Sequence, residues 1–204
     1  ELISGKSIAL VSDAGMPSIC DPGEVLIKDA KSNGLNIICI PGPCAALTAV
    51  VSSGLPSSKF IFEGFLPKKQ SEREKIILGI SKNEKTTILY ESPHRLMKLL
   101  IQLKKHCGGE REIQVFRELT KKFEEHIGYN INEVIKFFEG KDILGEITIV
   151  IKGITLRKGI DKFDESILKF ELNELIDAGL SLAAASRYLA KKNNLSKNQI
   201  YKMY

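Results

Sequence analysis

The chain has 204 residues, with 30 Lys and Arg against 25 Asp and Glu and a formal net charge of +5. At 43% hydrophobic and 27% charged residues it holds enough apolar mass to bury a core, which excludes intrinsic disorder. No apolar run approaches the roughly 18 residues of a bilayer-spanning helix, and the mild basic excess permits an anionic partner without demanding one.

Residues 7–12 (Ser-Ile-Ala-Leu-Val-Ser) form a short apolar run of the kind buried in a parallel sheet. After a glycine- and proline-rich turn, Asp21-Pro22-Gly23-Glu24 reads as a helix start. Asp21 is the N-cap, Pro22 the first helical position and Gly34 the stop. Residues 36–40 predict a second strand, Pro41-Gly42-Pro43 a turn and residues 44–53 a small-residue helix. This order predicts a doubly wound α/β layer. Gly54-Leu55-Pro56 marks a domain boundary. Beyond it, strands are expected at 60–62, 86–90, 112–117 and 146–151. Helices are expected within 68–82, from Ser92-Pro93 to Gly108-Gly109, and over 133–138, giving a second α/β domain with a mixed sheet.

From Asp164 onward the chain reads as helical. Leu168, Leu172, Leu175 and Ile176 share a face, Gly179 ends that helix, and Leu182, Ala185 and Leu189 mark the next. Ser196-Lys197-Asn198-Gln199 is a capping box opening a last helix with Ile200 and Met203. Residues 181–204 carry five Lys or Arg and no acid, and resemble a helix-turn-helix. The expected division is 1–56, 57–155 and 164–204.

Cys20, Cys39, Cys44 and Cys107 form no C-x-x-C pair, which predicts buried free thiols in a reducing, cytoplasmic setting and no metal site. No signal-peptide pattern is read. The chain opens on Glu1 and enters an apolar run almost at once, so residues ahead of it are expected.

Three strand-to-helix turns carry candidate chemistry. In residues 12–23, Asp13 can accept hydrogen bonds from hydroxyl or amino groups, and Gly15 and Gly23 admit a ligand close to the backbone. Capping explains Asp21, but two Asp, two Gly and two Pro in twelve residues exceed what a turn needs. Pro41-Gly42-Pro43-Cys44-Ala45-Ala46 sets small residues at a helix start, with neither of the standard phosphate-loop patterns in the chain. Packing is favoured over a nucleophilic role for Cys44, since no His is paired with it in sequence. Tyr90-Glu91-Ser92-Pro93-His94-Arg95 offers two general-base groups and an anion fork, and a helix cap explains it equally well. Arg117-Glu118-Leu119-Thr120 either lines the same cleft or forms a surface ion pair. The basic loop of Pro67-Lys68-Lys69 with Arg73 is a solvated face or a phosphate contact.

The stretches VSDAGMPSICDPG, PGPCAALTAVVSSGLPSSKFIFEGFLPKK, YESPHR, RELTK and GEITIV occur in this order. Together, over residues 7–152, they resemble the small-subunit ribosomal RNA (cytidine-2′-O-)-methyltransferase branch of the tetrapyrrole methylase superfamily. The resemblance implies two α/β domains of that type and a small C-terminal helical domain. The resemblance further implies that the first α/β domain is truncated, since the family's N-terminal strand and Pro-x-Gly-Asn-Leu loop have no counterpart here. It also implies S-adenosyl-L-methionine as cofactor, a homodimer, and small-subunit ribosomal RNA as partner. Ser12, Asp13 and Ala14 match the family's Gly-Asp-Pro cofactor loop, with Ser and Ala replacing Gly and Pro, and Met16 falls near a second contact of that loop. Cys44 and Ala45 match the small pair after the Pro-Gly turn. Tyr90 and Glu91 sit where the second domain closes, and Gly145, Glu146 and Ile147 match the last contact strand.

For transfer to a ribose hydroxyl, Glu91 is the first candidate base and His94 the second. Lys68, Lys69, Arg73 and Arg95 would hold phosphates, and Arg187, Lys191, Lys192 and Lys197 of the terminal helices would grip RNA. Two rival readings stand beside this one: a methylase of a small tetrapyrrole, and a non-enzymatic nucleic-acid-binding regulator.

Overall fold

The computed structural model describes residues 1–155, 165–193, 195–202 and 204. The chain divides into two compact units, Glu1–Ile154 and Thr155–Tyr204.

The first unit is built on five strands: β1 (Phe60–Phe65), β2 (Thr86–Glu91), β3 (Glu112–Arg117), β4 (Glu125–Asn130) and β5 (Ile147–Ile151). Their order in the sheet is β1-β2-β5-β3-β4. Only the β1–β2 pair is parallel, so the sheet is mixed, as expected. Its helices are α1 (Glu24–Ser32), α2 (Ala45–Ser52), α3 (Gln70–Lys82), α4 (Pro93–Cys107) and α5 (Ile131–Phe138).

Strand side chains alternate between the two faces of a sheet. Ile88, Phe116 and Val150 point one way and meet Ala46, Ala49 and Val50 of α2, whose small side chains bring its axis close to the strands. Leu89, Val115, Ile147 and Ile149 point the other way. There they pack under Ile77 of α3, Leu96, Leu99 and Leu103 of α4, and Val134 of α5. Each such fully buried aliphatic chain is worth about 1.5–3 kcal/mol relative to exposure. Gly54-Leu55-Pro56 lies inside this unit. The Thr86 hydroxyl donates to the Pro56 carbonyl at 2.6 Å, and α2, before the turn, packs on strands after it.

Two expected strands, 7–12 and 36–40, are extended but join no ladder among the described residues. Ile8, Leu10, Val11, Ile38 and Ile40 are exposed, the last two at 75% and 77%. An apolar run records that a segment gains by being covered. A strand also needs a neighbouring backbone to take its N–H and C=O groups. For the same reason Cys20 and Cys39 are exposed rather than buried, and Cys44 and Cys107 are half-buried; all four are free. Helix α1 starts at Glu24 behind a Gly23 N-cap, not at Pro22, because the Asp21 carboxylate accepts from the Ser12 hydroxyl instead of capping. Strand β4 was not foreseen: in Glu-His-Ile-Gly-Tyr-Asn only Ile127 reaches the apolar core.

The second unit holds α6 (Glu165–Asp177), α7 (Leu182–Lys192) and α8 (Lys197–Tyr201). Leu168 and Leu172 meet Ala185, Leu189 and Ile200, the face read from the sequence. Ser181 caps α7, and the capping box of Ser196 and Gln199 opens α8. Asp164 and Met203 lie outside the described residues.

Candidate active site

The two glycine–proline elbows meet. A Cβ on Gly15 would come to 3.4 Å from the Pro43 carbonyl oxygen, and one on Gly42 to 3.7 Å from the Met16 side chain. The first elbow is held by the Ser12 hydroxyl, which engages both Asp21 and the Ala14 carbonyl. Asp13, Ala14 and Gly15 are exposed along its rim. The second elbow runs into α2, whose N-cap Cys44 makes no side-chain cap hydrogen bond. First-turn N–H groups of a helix have no partner inside it. One of them, on Ala46, donates to the Tyr90 hydroxyl at 3.0 Å.

Tyr90 is the centre of an aromatic wall. Its ring packs edge-on against Phe62 at 5.0 Å and Phe65 at 5.6 Å between centroids. Three residues apart on a regular strand, Phe62 and Phe65 would face opposite ways. The pairing of β1 with β2 slips between Phe62 and Gly64, and this bulge turns both rings toward Tyr90. Gly64 makes it possible. Its φ is 62°, and a Cβ there would collide with the Cys20 sulfur at 2.7 Å. Cys20 therefore ties the first elbow to the aromatic wall. None of Phe62, Gly64, Phe65 or Cys20 was singled out from the sequence. The readable signal was a glycine inside an apolar strand, which marks a bulge or a close approach.

Burial, with the Cys44 thiol alongside, pushes the Tyr90 hydroxyl up to about 12. The free side chain ionises near 10. The stabilisation from the neutral folded hydroxyl is therefore complete below pH 10 and is lost as pH rises to 12, because the unfolded chain ionises first. In urea unfolding, the stability of Tyr90→Phe is expected to fall less steeply with pH than that of the parent across that window, by a few tenths of a kcal/mol per pH unit because solvent screens the half-exposed hydroxyl. Identical slopes in the two proteins would refute the assignment.

Glu91 follows Tyr90 on β2 and points through the sheet to the other side. Its side chain is 0% exposed, 3.2 Å from Arg95 Nε and 3.5 Å from Arg73 Nη2. It also accepts the Ser92 N–H at 2.8 Å. On this side of the sheet the enclosed carboxylate makes structural contacts, to two guanidinium groups and to the α4 N-terminus. Arg73 and Arg95, read as phosphate contacts, are 4% and 18% exposed; Arg95 also donates to the Leu66 carbonyl at 2.8 Å. Both hold Glu91, and Arg95 also holds the β1–α3 connection through Leu66. His94 is exposed, 3.4 Å from the Ser92 hydroxyl. It lines an open cleft of about 460 Å³ with Pro93 and residues 141–144.

Gly145 and Glu146 pack against the Arg117-Glu118 turn, where a Cβ on Gly145 would meet the Glu118 side chain. The Glu146 N–H donates to Glu118 at 2.8 Å, and with Lys121 it holds that carboxyl below its ordinary range. Arg117 pairs with Glu125 at 2.8 Å. Ile147 is buried on the α3–α4 side, so only its backbone lies along the strand end. Lys68 is exposed, and Lys69 is paired with Glu72 at 2.8 Å. In the second unit Arg187, Lys191, Lys192 and Lys197 are exposed; Lys192 pairs with Glu171 at 2.9 Å, and Lys197 sits 5.9 Å over the Tyr201 ring.

Residues 1–135 match the Tetrapyrrole (Corrin/Porphyrin) Methylases, and the chain belongs to that family. Within it the chain falls among the proteins named ribosomal RNA small subunit methyltransferase I. It is 39% identical over 203 residues to the one from Synechocystis, covering 100% of this chain and 72% of the relative. The Vibrio cholerae relative is 40% identical over 204 residues (99% and 70%). The Bacillus subtilis relative is 39% identical over 207 residues (100% and 70%).

Two solved structures share the fold. The methyltransferase CobJ has a TM-score of 0.54 at 17% identity, covering 72% of this chain and 64% of that one. The cobalt precorrin-4 methyltransferase CbiF has a TM-score of 0.52 at 13% identity (68% and 61%).

Proposed function

We propose that the protein transfers a methyl group from S-adenosyl-L-methionine to the 2′-hydroxyl of a cytidine ribose in small-subunit ribosomal RNA. The observation that carries this reading is the meeting of the Gly15 and Gly42 elbows beside Tyr90. At Gly15 only the Pro43 backbone stands close, so a cofactor can lie on bare backbone there, whereas Gly42 faces the Met16 side chain. The donor set suits that cofactor. Exposed Asp13 can accept from ribose hydroxyls or an ammonium group, and the first turn of α2, whose Ala46 N–H is taken by Tyr90, has further N–H groups for a carboxylate. Cys44, Ala45 and the Tyr90 wall offer small and aromatic surface to the nucleoside. When bound, the cofactor supplies an electrophilic methyl group on a sulfonium. What the protein adds is alignment of the ribose oxygen with it.

Of the two candidate bases, His94 has access to solvent and is the one assigned here. Lys68, Lys69 and the basic face of α7 and α8 take the RNA backbone. The reading includes a cofactor domain containing residues 1–56, a second domain over 57–155, a nucleic-acid-binding helical domain over 164–204, a homodimer and a cytoplasmic setting.

The test is transfer of labelled methyl to small ribosomal subunits, with the product mapped to base or ribose, beside calorimetric titration of the cofactor. Asp13→Ala is expected to weaken cofactor binding about tenfold, the loss of one charge-assisted hydrogen bond. Label on a base, on a tetrapyrrole or on no acceptor would overturn the proposal.

A further inference from the structure

We propose that a second RNA-backbone contact lies at the opposite end of the sheet, in the cleft framed by Lys59, Lys82 and Lys85. The proposal rests on the ribosomal RNA reading and adds a surface to it. The cleft has a volume of about 670 Å³ and is lined by Pro56, Ser58, Lys59, Lys82, Asn83, Glu84 and Lys85 among others. Three elements bring the lysines together: the entry to β1, the last turn of α3 and the α3–β2 turn. All three are exposed, and none has an acidic partner within 4.0 Å among the described residues.

The surroundings are rigid. The Thr86 hydroxyl holds the Pro56 carbonyl at 2.6 Å, and Asn83 accepts the Lys85 N–H at 2.9 Å. The Ile154 N–H donates to the Asn83 carbonyl at 2.7 Å. Gly153 lies so close under the turn that a Cβ would collide with the Glu84 backbone.

Bland explanations cover parts of this cluster. A lysine at the edge strand β1 guards against strand pairing, and one at the end of α3 suits the helix dipole. Neither explains why three lysines without an acidic partner within 4.0 Å among the described residues line one cleft. The cleft is open and none of its cations is buried. That suits a polyanion held at several phosphates better than one small anion. Tyr90 lies five residues beyond Lys85 on the same chain segment, about 17 Å at 3.3 Å per residue. A nucleic acid reaching both places would span several nucleotides.

The test is filter binding of deproteinised small-subunit ribosomal RNA to the full chain across a salt series. Each phosphate contact adds about 0.7 to 0.9 to the slope of log affinity against log salt. Replacing Lys59, Lys82 and Lys85 together with Gln is expected to reduce that slope by about 2 to 3 and to weaken binding at 0.1 M salt tenfold or more. Cofactor affinity and melting temperature should not move. Glu84→Gln, which removes the one acid in the cleft, is expected to tighten RNA binding about two- to fivefold. If the parent binds the RNA and neither variant changes slope or affinity, this contact is refuted while the ribosomal RNA reading stands. If the parent binds no RNA, both fail. A loss seen with assembled subunits but not with naked RNA would assign the cleft to a ribosomal protein and overturn the proposal.

Discussion

Glu91→Ala is expected to cost the first unit about 3–5 kcal/mol, the range for removing one partner of a buried ion pair. The carboxylate is 0% exposed between two guanidinium groups, and Arg73 Nε already has no hydrogen-bond partner. Burial lowers the Arg73 proton affinity, Glu91 restores it, and Arg95 lowers it again. Without Glu91, two desolvated cations face each other under the end of β2. The Ser92 N–H at the α4 N-terminus also loses its acceptor, and the Arg95 guanidinium that donates to the Leu66 carbonyl loses its counter-ion. For a unit of about 150 residues the penalty corresponds to a fall of roughly 10 °C in melting temperature. Glu91→Gln keeps the volume and an acceptor for the Ser92 N–H, so its loss should be smaller. Measured on folded protein, its kcat should stay within a few-fold of the parent. A Gln variant that melts like the parent but loses methyl transfer a hundredfold would return Glu91 to the reaction.

This residue also shows what the sequence could and could not disclose. Tyr-Glu-Ser-Pro-His-Arg correctly marks the end of a strand and the start of a helix. Tyr90 and Glu91 then fall on opposite faces by alternation alone. Which face holds the site depends on where α2, α3 and α4 pack, and no local pattern states that. Arg73 stands 18 residues before Glu91, so their ion pair is invisible to any spacing rule. Strand β5 is legible because it is almost continuously apolar, and all of Ile147–Ile151 is buried. Segments 7–12 and 36–40 carry the same signature and join no ladder, since pairing is a property of two segments. The elbows were found because glycine and proline punctuate the chain there. The bulge at Gly64 that aims Phe62 and Phe65 was not, because one glycine in an apolar strand has several meanings.

Gly15→Val tests whether the elbows shape the cofactor site. Gly15 has φ 75°, a conformation costing about 1–2 kcal/mol for a residue with a Cβ and more for a branched one. The added Cβ sits at 3.4 Å from the Pro43 carbonyl before the two valine methyls are counted, so the elbows must part. If the relaxed loop has to be forced back to bind cofactor, that strain is taken from binding, and affinity should fall tenfold or more by calorimetry. The melting temperature should fall by no more than about 5–8 °C, the backbone strain alone, because Gly15 is exposed and belongs to no apolar cluster. Gly42→Ala is the matched control. Its Cβ makes an ordinary 3.7 Å contact with Met16 and its φ lies outside the left-handed region, so binding should stay within about twofold of the parent. Unchanged affinity in the Gly15 variant would mean that the cofactor does not lie on these elbows. Equal loss in both variants would mean that backbone freedom, rather than the approach of the two loops, sets the affinity.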